Sequence, residues 1–326
     1  MSIRVFAPAS MGNVSVGFDI LGGALSPIDG NMLGDFVTIS AHESGESTET
    51  TIAVETVGRF AHKLPSDPKL NILYDCAVVY HEALVKKGLS PQSISMVLEK
   101  ELPVGSGLGS SAASVVAALY ALNEFYDNAL SKDALLLMMG KLEGQISGSV
   151  HFDNVAPSYL GGLQLMVEQG NTLTTSLPTF DDWYWVIAYS GVKVSTAESR
   201  EIMPKQVDLK TALKFGQNIA SFVDASHRGD GELAASLLVD IIAEPVRGGI
   251  IPKFIENKQA MLDLGAMASG ISGSGPTLFA VTDNLTKAEQ LALYLQDNYI
   301  QNDDGFSHIC KLDNQGARRE AKRGTV

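Results

Sequence analysis

Two cysteines in 326 residues, Cys76 and Cys310, are too few for a disulfide framework or a four-thiolate metal site. A reduced compartment fits them, and burial is the expected fate of both. No uninterrupted apolar run approaches the roughly 18 residues of a membrane helix. Met1 to Ser10 lacks the basic stretch and long apolar segment of a secretory leader, so a soluble, cytoplasmic protein is expected. Positive charge is scarce: 24 Lys plus Arg face 37 Asp plus Glu, a net charge of -13. That field repels nucleic acid and anionic membranes and favours a small-molecule partner. No Gly-x-Ser-x-Gly elbow occurs, which removes the nucleophile of an α/β-hydrolase.

What is present is a chain 45% hydrophobic and 19% charged, without internal repeats or low-complexity tracts, and long enough for two domains. Short β-branched runs at 2–7, 36–41, 51–57 and 94–98, bounded by turn residues, predict strands. Apolar spacing predicts helices over 71–87, 110–126 and 132–145, with Gly88 and Gly148 as stops. Strand patterns return at 162–168 and 183–188, separated by polar residues 170–176. The domain boundary is placed there, near 172, giving units 1–172 and 173–326. Helices over 208–228, 231–242 and 255–264, a strand at 277–281 and a helix over 286–298 complete an α+β pattern. The end, 317–326, reads as a polar, basic, solvated tail.

Three segments carry chemistry. In Pro103-Val-Gly-Ser-Gly-Leu-Gly-Ser-Ser-Ala-Ala113, three glycines at alternate positions run into a helix start. Glycine permits close approach of backbone to ligand, and the unpaired amides and dipole of a first helical turn attract phosphate. No Lys follows the last glycine, so this is not the P-loop of the large NTPase class. Gly270-Ile-Ser-Gly-Ser-Gly-Pro-Thr-Leu-Phe-Ala280 is a second glycine-rich turn, feeding a strand. The third segment is Ala7-Pro-Ala-Ser-Met-Gly-Asn-Val-Ser-Val-Gly-Phe-Asp-Ile-Leu-Gly22.

Together the three resemble the motifs of the GHMP kinases. The version with Asn13, Gly17-Phe18-Asp19 and Ser10, in place of the Lys found in sugar and mevalonate kinases, resembles the homoserine kinase branch. Glu143-Gly, His151, Asp153-Asn154-Val-Ala-Pro157, Val194-Ser-Thr-Ala-Glu198 with Arg200, and Glu244-Pro with Arg247 extend the match along the chain. The resemblance implies an N-terminal domain like the second domain of ribosomal protein S5, with a left-handed crossover, and a C-terminal ferredoxin-like domain. It also implies a homodimer, and ATP-dependent phosphorylation of L-homoserine in threonine biosynthesis.

The site residues follow on the same footing. Pro103 to Ala113 (Pro103, Val104, Gly105, Ser106, Gly107, Leu108, Gly109, Ser110, Ser111, Ala112 and Ala113) are expected to bind ATP, with Asn71 at the base. Ser110 or Ser111, with Ser110 placed first, and Glu143 are expected to hold Mg2+, a hard cation that prefers oxygen. For an amino-acid acceptor, Asp19 would take the ammonium and Arg200 and Arg247 the carboxylate. Asn13, Asn154, His151, Thr196 and Gly273 complete the expected pocket. Catalysis is assigned to positioning by Asn13, Asn154 and Arg200, with Asp19 or Asp153 as a general base the competing reading.

Overall fold

The computed structural model describes residues 2–42, 50–148, 150–170 and 172–320, without the side chains of 146, 147, 196 and 197. In chain order the N-terminal part comprises β1 (Ser2–Pro8), β2 (Ser10–Gly12), β3 (Leu21–Pro27), β4 (Gly34–Ala41), β5 (Ile52–Val57), α1 (Ile72–Lys86), β6 (Ile94–Glu99), α2 (Ser110–Phe125), α3 (Lys132–Ser147), α4 (Val155–Leu160), β7 (Leu163–Gln169) and β8 (Thr172–Leu177). The C-terminal part follows with β9 (Tyr184–Tyr189), α5 (Thr196–Glu201), α6 (Leu209–Arg228), α7 (Gly231–Ser236), α8 (Glu244–Arg247), α9 (Phe254–Asp263), β10 (Ala268–Ile271), β11 (Leu278–Thr282), α10 (Leu285–Asn298), β12 (Phe306–Leu312) and β13 (Arg318–Arg319).

One sheet runs β13-β1-β4-β6-β5, antiparallel except for β5, which joins β6 in parallel after the α1 crossover. The strands have β-branched residues on one face, and Ile3, Val5, Val37 and Ile39 turn that face onto α2. Helix α2 is buried almost all round: Ala112, Ala113, Val116, Ala117, Ala118 and Ala121 are as inaccessible as the expected stripe of Val115, Leu119 and Leu122. Its alanines let α1, α3, α4 and the sheet approach it together, as the all-round apolar pattern requires. This rigid rod carries the glycine loop at its head.

The second sheet runs β10-β11-β9-β12-β3-β7-β8, with β2 paired to β3. Strands β9, β10, β11 and β12, with helices between, form a β-α-β-β-α-β unit, the ferredoxin-like arrangement. Because β3 pairs with β12, this sheet spans both halves of the chain. Residue 172 opens β8 within the β7–β8 hairpin, so backbone pairing continues across the expected division.

Three expectations change. The helix drawn over 231–242 stops at Ser236, and Asp240 caps the next turn by accepting from the amides of Ile242, Ala243 and Glu244. Of the expected solvated tail, Arg318 and Arg319 add β13 to the edge of β1, with Arg318 bonded to Asp313 at 2.9 Å, while 321–326 lie outside the described residues. Strands β2, β3, β8, β10 and β12 had no sequence signal assigned, β8 falling on the polar stretch read as the domain junction. Both cysteines are buried, and among the described residues no helix is long and apolar enough to cross a membrane.

Candidate active site

The three glycine-bearing segments meet at the head of α2. Gly109 caps the helix with a left-handed backbone (φ 62°), and the amides behind it open toward a cavity of about 560 Å³. The second glycine loop locks onto the first: the Ser272 hydroxyl donates to Gly107 O (2.7 Å), and the Thr277 hydroxyl to Ser106 O (2.7 Å). The N-terminal segment adds Ser10 N donating to Leu108 O (3.1 Å). Its chain bends through three successive left-handed residues, Asn13, Val14 and Ser15, a strained path that the surrounding bonds enforce.

Gly273 joins the second glycine loop to the N-terminal segment. Its amide donates to Gly12 O, while its carbonyl accepts from Asn13 Nδ2 (3.0 Å) and Arg247 Nη1 (3.2 Å). Asn13 Oδ1 in turn accepts from the Asp19 amide, so this side chain staples two loops. Asp19 is gripped by Arg200 through two bonds of 2.9 and 3.1 Å, and His151 Nδ1 lies 3.8 Å away. Burial holds the His151 ring below its ordinary pKa. Arg247 is 3% exposed, over the Phe18 ring, and has no carboxylate partner among the described residues. Desolvation lowers its pKa from the usual guanidinium value.

In the first turn of α2, the Ser111 hydroxyl donates to Glu143 Oε1 at 2.7 Å, whereas the Ser110 hydroxyl is turned to Leu102 O. Of the two hydroxyls expected beside Glu143, that of Ser111 is the one that reaches it. Desolvation pushes the Glu143 carboxyl up to about 7, and that of the buried Asp153 also to about 7. A single carboxylate and hydroxyl beside the free amides of a helix start suit a cation that takes its remaining oxygens from a bound anion and water. No cluster of three His, Cys, Asp or Glu ligands occurs among the described residues.

The cavity is lined by Asn13, Asp19, Asn71, Val104, Gly105, Ser106, Gly107, Gly109, Ser110, Ser111, Glu143, His151, Asn154, Arg200, Arg247 and Gly273, all expected from sequence. Pro103, Leu108, Ala112 and Ala113 do not line it; they are buried and hold the loop from behind. Asn71 caps α1 by accepting from Leu73 N and donates to Thr56, so its amide is committed to the chain. Thr196 opens α5, but its side chain lies outside the described residues.

Sequence reasoning missed Lys100. It is 2% exposed beneath the glycine loop, paired with Asp35, and bonded to Ser110 O (2.7 Å) and Ser114 Oγ (2.9 Å). Asp35 also accepts from the amides of Glu101 and Leu102. This buried ion pair ties the loop's approach strand to the first turn of α2. Lys193 and the apolar rim of Leu64, Pro65 and Leu70 were missed as well.

Residues 71–162 match the family model for the GHMP kinase N-terminal domain, and 222–301 match that for the GHMP kinase C-terminal domain. A crystal structure of homoserine kinase from Cytophaga hutchinsonii superposes with a TM-score of 0.86 at 33% identity, covering 98% of this chain and 97% of that one. The chain belongs to the GHMP kinase family. Its two-domain architecture is that of a GHMP kinase, a phosphotransferase fold that uses ATP. A putative homoserine kinase from Listeria monocytogenes matches at 22% identity with a TM-score of 0.69, covering 98% and 100% of the two chains. Mevalonate kinase from L. major shares the fold at 15% identity, with a TM-score of 0.67 over 94% and 95%.

Proposed function

We propose that this GHMP kinase phosphorylates the side-chain hydroxyl of L-homoserine, using ATP with Mg2+, to give O-phospho-L-homoserine. The observation that carries the reading is Arg247, a buried guanidinium without a carboxylate partner among the described residues, beside the Asp19–Arg200 pair in the cavity that holds the glycine loop. A buried cation of this kind needs an anion, and the Asp19 carboxylate, part-exposed to the cavity beside Arg200, has room to accept from a further cation. An amino acid supplies both on one carbon. Sugars and mevalonate supply no ammonium.

In this reading the loop amides hold the phosphates, and Arg247 with Arg200 orients the acceptor's carboxylate. Asp19 takes its ammonium. Asn154 Nδ2 meets the reacting hydroxyl, because Ser10 Oγ donates to Asn154 Oδ1 (3.1 Å) and leaves the amide nitrogen for the cavity. Mg2+ bound at Ser111 and Glu143 would supply charge neutralisation on the phosphate oxygens. Positioning then does most of the work. The reading carries with it a place in threonine biosynthesis, a cytoplasmic location and a homodimer.

The test is ADP release with ATP and Mg2+ over L-homoserine, D-homoserine, L-threonine, L-serine, mevalonate, shikimate and galactose. Turnover with L-homoserine alone is expected. Turnover confined to a non-amino-acid acceptor would overturn the amino-acid pocket while keeping the kinase.

A further inference from the structure

Among the described residues, four Lys or Arg side chains line the cavity: Lys100, Lys193, Arg200 and Arg247. Lys100 is spent on Asp35, Ser110 O and Ser114. Arg200 is spent on Asp19, and Arg247 sits on the acceptor side with its bonds to Ser199 O and Gly273 O. Lys193 alone has no hydrogen-bond or ion-pair partner among the described residues. It belongs to the connection between β9 and α5, and the Val194 amide fastens that connection to Gly105 O at 3.1 Å. The aliphatic stem lies across Gly105: a Cβ there would stand 2.8 Å from Lys193 Cγ and 3.2 Å from its Cε. Gly105 has φ 70° and is the first glycine of the loop.

We propose that Lys193 is a further nucleotide-binding residue, a cation brought by the C-terminal half onto the phosphates held by the glycine loop. The need for it is electrostatic. A chain of net charge -13 must bind a polyanion, and the loop itself offers only amide dipoles and hydroxyls. Ser10, at the loop's other side, is neutral and engaged with Asn154. A point charge on a flexible stem is suited to following phosphate oxygens without fixed geometry. Its anchorage in the second half of the chain also makes nucleotide binding a contact between the two halves.

This inference rests on the nucleotide-site half of the proposed function and is independent of which acceptor is used. The full chain, with Lys193→Met and Lys193→Arg, is titrated calorimetrically with Mg-ADP and with adenosine. Lys193→Met keeps the stem over Gly105 and removes the charge. It is expected to weaken Mg-ADP about tenfold and leave adenosine unchanged, the size of one charge-assisted contact. Lys193→Arg should stay within about threefold of the wild type, since the charge is kept. Unchanged Mg-ADP affinity in Lys193→Met would overturn the proposal, as would equal losses for ADP and adenosine, which would mark a packing role. Wild-type protein that binds neither ligand would sink the nucleotide site itself, a result distinct from both.

Discussion

Arg200 and Asp19 grip each other through two hydrogen bonds, although each was expected to hold a different end of the acceptor. The pairing is compatible with both roles: a zwitterion can insert beside it, sharing Arg200 and Arg247 through its carboxylate and Asp19 through its ammonium. Before that, the pair keeps two part-buried charges compensated. Asp19→Asn should therefore raise the KM for L-homoserine about 10- to 100-fold, the range for a lost charge-assisted bond, with the KM for ATP unchanged. Steady-state kinetics on 4-hydroxybutyrate, which lacks the ammonium, should show the variant and wild type nearly alike. An equal loss on both acceptors would place Asp19 outside ammonium recognition.

Glu143 and Asp153 give the site a pH signature. Burial raises Glu143 from 4.5 and Asp153 from 3.8, each to about 7. The folded chain therefore holds protons that the unfolded chain releases, and that stabilisation is complete below the unfolded values and lost as pH rises to about 7. For Glu143 the span corresponds to at most about 3 kcal/mol. Ligand-free protein should melt lower at pH 8 than at pH 5, and Glu143→Gln should flatten part of that slope. Metal needs the carboxylate form, so Mg2+ affinity measured with bound nucleotide should rise between about pH 6 and pH 8 and collapse in Glu143→Gln. A flat melting profile for the ligand-free wild type would contradict the assignment.

The glycine loop was legible because all its chemistry lies in eleven consecutive residues and the helix that carries it has a strong pattern. Lys100 and Asp35 were not. They stand 65 positions apart, and only the antiparallel register of β4 with β6, Phe36 opposite Glu99, brings them together under the loop. Strand β3 escaped notice because Leu21-Gly-Gly-Ala-Leu-Ser-Pro27 has almost no β-branched signal; its glycines are demanded by tertiary contacts instead. A Cβ on Gly22 would fall 1.7 Å from Asp153 O. The division of labour between Ser110 and Ser111 was equally hidden, since neighbouring helical residues point different ways only once the helix exists.

Close approach makes Gly107 a sharper test of the two-loop lock than any polar residue in it. It has φ 80°, and a Cβ would lie 2.3 Å from the Ser272 carbonyl oxygen and 2.9 Å from that of Gly275. Both obstacles are backbone. Gly107→Ala should cost about 2 to 4 kcal/mol by chemical denaturation and abolish nucleotide binding. Gly30→Ala is the control: φ is 82° with nothing within 4 Å, so only the left-handed backbone penalty of about 1 kcal/mol is expected. Similar losses at both positions would show that backbone strain, and not the meeting of the loops, sets the requirement.

Ser10 fixes the orientation of the Asn154 amide, which in the proposed reading meets the acceptor. Its hydroxyl donates to Asn154 Oδ1, and both groups crowd Gly109, whose added Cβ would meet Ser10 Oγ at 2.1 Å and Asn154 Oδ1 at 2.9 Å. Without that donor the amide can turn, presenting an acceptor where a donor is required. Asn154→Ala should lower kcat about 100-fold, as expected for removing a group that aligns the reacting hydroxyl. Ser10→Ala should lower kcat about tenfold with the KM for ATP held, one neutral hydrogen bond's worth of orientation. Ser10→Thr, which keeps the hydroxyl, should recover most of it. If Asn154→Ala leaves the chemical step intact in single-turnover kinetics, Asn154 leaves the site, and the proton of the acceptor hydroxyl must be sought by way of Asp153, whose buried carboxyl lies one residue away.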